Sequence, residues 1–80
     1  MGFLERYVES VELQWEQQLG AKVKAERWVS DEVVTVTLDN PLGYSEYDFE
    51  DIGMMEAGGS AIRSVEAHDL GHAVVVHIYY

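Results

Sequence analysis

Three histidines near the carboxyl end of the chain are the residues whose type and spacing point most directly to chemistry. His68 and His72 enclose the segment HDLGH, with Asp69 next to the first of them, and His77 follows in EAHDLGHAVVVH. Imidazoles bind transition metals and transfer protons near neutral pH, and a bound zinc ion activates water for hydrolysis. The segment therefore raises two hypotheses, which are metal-dependent hydrolysis and metal binding without catalysis.

The HDLGH segment resembles the HExxH motif of zinc metallopeptidases, in which two histidines on a helix bind zinc and a glutamate polarises the water. The resemblance implies that His68 and His72 would be ligands and Asp69 the base. However, aspartate is one methylene shorter than glutamate, Val75 stands where the longer motif has glycine, and His77 lies one position early. The valine run after the second histidine also favours a strand. We therefore predict no catalytic residues, no cofactor and no enzymatic activity.

A β-hairpin over the same segment allows a metal site without catalysis. If the chain turns at residues 69–71, His68 and His72 become cross-strand partners with Cβ atoms about 5 Å apart, and His77 lies on the other face. A structural zinc site needs four ligands, and this face has only three candidates. We therefore predict exposed histidines, and we keep a metal site as a minor alternative with the ligands His68, His72 and Glu66.

A row of glutamates near the amino terminus is the second feature that could bind a partner. This glutamate stripe has members four, three and four positions apart: Glu5, Glu9, Glu12 and Glu16. On a helix they lie on one side, where each pair of like charges costs about 0.2–0.5 kcal/mol. One charge per ~4–5 Å approaches the ~3.4 Å charge spacing of a nucleic-acid strand. The stripe is therefore either a solvated face or a surface that fits a basic, phosphate-binding groove.

The whole chain is strongly acidic, with 15 Asp and Glu against 5 Lys and Arg and a net charge of −10. Such a surface repels nucleic acid and acidic membranes and suits basic partners. With no cysteine, no signal peptide and no apolar run of membrane-spanning length, we predict a cytoplasmic protein that contacts neither membranes nor nucleic acid directly. Acidic residues of the second predicted helix would extend the stripe: Glu46, Asp48, Glu50 and Asp51.

Hydrophobic periodicity predicts the first half of the fold. Residues 3–19 form an amphipathic helix with Tyr7 at the edge of its apolar face, and Gly20 ends it. Residues 21–38 form a hairpin that turns at Ser30-Asp31. Three cross-strand pairs are predicted on its apolar face: Val23 with Leu38, Ala25 with Val36, and Arg27 with Val34.

The second half has the same order of elements. Residues 46–57 form a weaker helix with Gly53 inside it, and residues 61–79 form a second hairpin, although a helix running on through residues 60–69 is an alternative. We predict a single α+β domain over residues 1–80, in αββαββ order, with an antiparallel sheet and two helices on one face. The halves 1–39 and 40–80 are loosely alike, as in an internal repeat.

Two functional hypotheses follow. The first is a small acidic, non-enzymatic inhibitor that mimics nucleic acid and occupies a basic, nucleic-acid-binding site on a partner protein; small phage-encoded anti-restriction and anti-CRISPR proteins are similar in charge and size. The alternative is a structural or regulatory domain whose acidity serves solubility, as in a halophile. A homodimer is expected through the C-terminal strand, AVVVHIYY, if that strand lies at a sheet edge.

Overall fold

The architecture is a four-stranded antiparallel sheet with two helices on one face. A computed structural model describes residues 2–24, 27–57 and 61–80. The elements are α1 (Phe3–Leu19), β1 (Trp28–Val29), β2 (Val33–Asp39), α2 (Glu46–Ala57), β3 (Ser64–Asp69) and β4 (Ala73–Tyr79). The strand order is β1-β2-β4-β3. The predicted α+β class and αββαββ order are confirmed, whereas the internal repeat stays a prediction. Of the two helices described, neither is long and apolar enough to cross a bilayer.

Helix α1 follows its sequence pattern closely. Val8, Val11 and Trp15 are buried at helical spacing against the rest of the core. Gly20 ends the helix in the left-handed conformation (φ 68°), and its amide donates to the Glu16 carbonyl at 3.1 Å. Tyr7, expected at the edge of the apolar face, is buried because its hydroxyl donates to the Gly53 carbonyl of α2 at 2.5 Å.

Helix α2 depends on specific contacts more than on periodicity. At its start, the Ser45 amide and hydroxyl donate to the Asp48 carboxylate at 3.1 and 3.0 Å. A Cβ atom at Gly53 would lie 3.0 Å from Cγ1 of Val65, so the glycine allows the helix to approach β3 closely. Phe49 is fully buried, and its carbonyl accepts a hydrogen bond from Trp15 Nε1 at 3.0 Å. The two helices are therefore joined by polar bonds inside an apolar core.

The sheet has one buried and one open face, because side chains alternate along each strand. The buried face contacts the helices and includes Val34, Val36, Leu38, Val65, Ala67, Val74, Val76 and Ile78. The other side chains of the strands point away from both helices, and we call this surface the open sheet face. Its principal members are Trp28, Val33, Thr35, Val75, His77 and Tyr79.

The first hairpin turns one residue later than predicted. The bridge between Val23 and Leu38 is confirmed, and the predicted Ala25 pair lies outside the described residues. The predicted pairing of Arg27 with Val34 is wrong, since Val34 pairs with Val29 and Thr35 with Trp28. The Ser30 side chain explains the shift. Its hydroxyl donates to the Val33 carbonyl and accepts from the Val33 amide, both at 3.2 Å, which closes the turn around the next two residues.

The C-terminal strand lies inside the sheet. Strand β4 is hydrogen-bonded to β2 on one side and to β3 on the other, so its backbone has no free edge. The dimer predicted through an exposed edge of this strand therefore does not fit the topology. Strand β3 begins at Ser64, which confirms the second hairpin and shows that the helical alternative is wrong over Ser64–Asp69.

Candidate functional site

The glutamate stripe lies on the side of α1 that faces the β1 edge of the sheet. Three of its members, Glu5, Glu9 and Glu12, form one wall of an open groove of about 810 Å³. Lys24 and Arg27 line the same groove, so it is not uniformly negative. Glu16 continues the stripe beyond the groove as an exposed residue.

Glu12 is the member of the stripe that takes part in the fold. Its carboxylate lies 3.6 Å from Arg27 Nε, and its side chain is only 13% exposed. Burial raises the pKa of Glu12 above its ordinary 4.5, the positive charge of Arg27 opposes this increase, and the negative charge of Glu9 adds to it. Glu12 therefore connects α1 to the residue that precedes β1 and is the least accessible glutamate of the stripe.

The other three glutamates are free to meet a partner. Glu5, Glu9 and Glu16 are exposed, and the Glu12–Arg27 contact is the one ion pair found in the described part of the chain. Because α1 is held by buried hydrogen bonds from Tyr7 and Trp15 to α2, these carboxylates project from a rigid support. The structure thus gives a linear array of exposed negative charges along one helix.

Two acidic residues of α2 have contacts within the fold. Asp48 binds Ser45 at the helix start, and the Glu50 carboxylate accepts from the edge amide of Ala67 in β3 at 3.0 Å. Strand β3 is the sheet edge opposite β1, so this contact of Glu50 lies at the other edge from the stripe groove. That Glu46, Asp48, Glu50 and Asp51 extend the stripe stays a prediction.

The histidines are arranged differently from the prediction. His68 pairs with Val75, and His72 lies in the loop, so the predicted cross-strand pair is wrong. The turn contains two residues, Gly71 and His72, and not the predicted three at 69–71, because the Leu70 amide donates to the Ala73 carbonyl at 2.8 Å. Glu66 and His68 keep the same face. Glu66 pairs with His77 across the ladder, and the His77 ring also lies beside that of His68.

A small polar cluster results on the open sheet face. The rings of His68 and His77 are 5.4 Å apart between centroids, and His77 Nδ1 shares a hydrogen bond of 2.9 Å with the Thr35 hydroxyl. The Tyr79 hydroxyl donates to Glu66 at 3.4 Å. In the residues that the structure describes, no group of three or more His, Cys, Asp or Glu is placed to hold a metal ion. Strand alternation would have shown His77 on this face had the loop been predicted with two residues, Gly71 and His72, and not with three.

Comparison with known proteins gives no relative from which a role could be transferred. No protein-family model matches the chain, and no curated protein matches it significantly. A function has to be inferred from specific surface residues and not from the fold class. The exposed glutamates of α1 and the open sheet face are the two surfaces considered for this purpose.

Proposed function

We propose that the protein is a non-enzymatic binding protein that places the exposed glutamates of α1 in a basic, nucleic-acid-binding site of a partner protein or complex. The observation that supports this proposal is the array of Glu5, Glu9 and Glu16. All three side chains are exposed along one side of a 17-residue helix, and none has a cation within ion-pair distance among the described residues.

The spacing of the charges suits such a site. From Glu5 to Glu16 the helix rises about 16 Å, at about 1.5 Å per residue. The three exposed charges are therefore about 6 and 10 Å apart along the helix. These intervals are roughly two and three times the ~3.4 Å charge spacing of a nucleic-acid strand, so the glutamates could meet every second or third basic side chain of a groove that follows a phosphate backbone. Repulsion between neighbouring glutamates disfavours the free helix slightly, and basic side chains of a partner would relieve it. The bound state would thus gain energy that the isolated protein lacks.

The mode of action follows from the same electrostatics. A protein that occupies a nucleic-acid-binding site acts as a competitive inhibitor of the anti-restriction or anti-CRISPR type. This protein and the nucleic acid cannot occupy the same site of the partner at the same time. Association between charged surfaces is fast at low salt and weakens as salt is added. Competition with nucleic acid separates this function from that of an acidic domain with no partner.

The test is capture from a lysate of the native host, followed by competition. Wild-type protein is compared with a stripe variant (Glu5→Gln, Glu9→Gln, Glu16→Gln) and with a control of equal net charge (Asp31→Asn, Glu32→Gln, Asp69→Asn), in which all three positions are exposed. Glu12 is left unchanged because it contacts Arg27. Circular dichroism confirms that each variant folds.

The proposal requires that wild type and control capture a nucleic-acid-binding protein, that duplex DNA or RNA releases it, and that the stripe variant captures at least about tenfold less. If the stripe variant and the control capture the same proteins equally, or if nucleic acid does not compete, the glutamates of α1 are a solvated face and the proposal is wrong.

A further inference from the structure

Among the described residues, neither helix covers the open sheet face. Both helices pack on the other side of the sheet, and the side chains on this side are only partly buried by one another. Trp28, in the edge strand β1, is 70% exposed. An exposed tryptophan on a sheet that also presents valine and tyrosine is typical of an interaction surface.

The face is continuous across all four strands. One cross-strand row runs from Trp28 through Thr35 and His77 to Glu66. The neighbouring rows contain Val33 with Tyr79, and Thr37 with Val75 and His68. Aromatic and β-branched side chains therefore cover its centre, and no helix or loop of the described residues crosses it.

Charge distinguishes this face from the rest of the molecule. The chain has a net charge of −10, yet among the acidic residues of the four strands only Asp39 and Glu66 lie on this side of the sheet. Both already accept hydrogen bonds, Asp39 from the Lys22 amide and Glu66 from the Tyr79 hydroxyl. Two copies of the chain can therefore meet through these strands with little repulsion between carboxylates.

We infer that the open sheet face binds the same face of a second copy, forming a two-fold symmetric sandwich with the helices on the outside. Packed sheets lie about 10 Å apart, and each helix layer adds about 10 Å. The two glutamate stripes would then be about 30 Å apart, several times the Debye length of about 8 Å at physiological salt. Their mutual repulsion would be screened.

The area of the open sheet face indicates how tightly the two copies should bind. Three strands about 20–24 Å long and the two-residue β1, about 4.8 Å apart, give a footprint of roughly 350 Å² per copy. The total of roughly 700 Å² lies below the range of stable interfaces and is typical of weak, transient association. We therefore expect a reversible dimer that forms at micromolar or higher concentration. This inference does not depend on the proposed function, because the exposed glutamates of α1 stay accessible in the dimer.

The experiment is analytical ultracentrifugation of the full chain from ~1 µM to ~1 mM at about 0.15 M salt. Val75→Lys places a charge at the centre of the face. Met55→Lys changes the net charge equally at an exposed position on α2 and is the matched control. Trp28→Ser is a second variant at a position outside the core, and circular dichroism is recorded for all four proteins.

We expect wild type and Met55→Lys to pass from monomer to dimer with rising concentration, Val75→Lys to stay monomeric, and Trp28→Ser to dimerise at least about tenfold more weakly. If Val75→Lys does not fold, Trp28→Ser alone decides. A wild type that stays monomeric up to ~1 mM would overturn the inference. A dimer that persists in the folded variants would also overturn it, because it would use another surface such as the β1 or β3 edge.

Discussion

Glu12 of α1 and Arg27, which precedes β1, form an ion pair of 3.6 Å in which the carboxylate is nearly buried and the guanidinium is 39% exposed. The pair connects α1 to the residue that immediately precedes β1. The pair also distinguishes Glu12 from the other glutamates of the stripe. Those glutamates are exposed, whereas Glu12 makes a contact within the fold.

The raised pKa of Glu12 predicts a pH dependence of stability. Because the folded state binds this proton more tightly than the unfolded chain, the contribution of Glu12 becomes less favourable as pH rises from about 4.5 through the folded pKa. Glu12→Gln should remove this part of the slope, an effect of under about 1 kcal/mol for a partly solvated pair. Urea unfolding measured at intervals between about pH 4 and 7 would show it.

Arg27→Gln is the companion variant. It removes the charge that lowers the pKa of Glu12, so the loss of stability with rising pH should become larger than in wild type. If Glu12→Gln keeps the wild-type slope, or if Arg27→Gln flattens it, burial is not the main influence on this carboxyl group.

The two tryptophans predict a contrast in stability. Trp15 is fully buried and donates to the Phe49 carbonyl, so Trp15→Phe should cost about 2–3 kcal/mol through an unfilled space and a lost hydrogen bond. Trp28 is 70% exposed, so Trp28→Phe should change the monomer by less than about 0.5 kcal/mol. Thermal unfolding at low protein concentration measures both. Equal effects would contradict the placement of the two side chains.

The sequence was sufficient to predict the elements whose structure depends on neighbours along the chain. The apolar positions of α1 recur at helical spacing up to Gly20, and strands β2 and β4 alternate regularly. The position of β4 inside the sheet could also have been inferred. Its run Val74–Val76 is apolar on both faces, which suits a central strand more than an edge.

Features decided by contacts between distant residues, or by the hydrogen bonds of a single turn, could not be predicted from periodicity. Gly53 weakens the periodicity of α2 because it is placed to meet Val65, a residue in another element. The first hairpin moved by one residue because of one serine side chain, and its side chains kept their predicted faces. In the second hairpin a two-residue turn replaced the predicted three-residue loop, and this odd change of register removed His72 from the face of His68.

Gly53 predicts an energetic coupling between α2 and β3. Alanine is favoured over glycine in a helix by about 1 kcal/mol, but here its Cβ would lie 3.0 Å from Val65 Cγ1. Gly53→Ala should therefore destabilise the protein by about 1–2 kcal/mol. In a Val65→Ala background the obstacle is absent, and the same change should become stabilising. A double-mutant cycle by urea unfolding gives the coupling energy, and an additive result would mean that the close approach has no energetic consequence.

The hydrogen bond from the Ala67 amide to Glu50 should protect the exposed edge of β3 from solvent exchange. Its carboxylate accepts the Ala67 amide, which would otherwise be an unpaired donor on an edge strand. Glu50→Ala should cost about 1–2 kcal/mol and should speed exchange of the Ala67 amide hydrogen. Glu50→Gln keeps an oxygen acceptor and should lie between the two, while Asp51→Ala, an exposed neighbour on α2, should leave the exchange rate unchanged. Hydrogen exchange followed by NMR resolves this single amide, and equal protection in Glu50→Ala and wild type would show that the edge is covered by something other than this carboxylate.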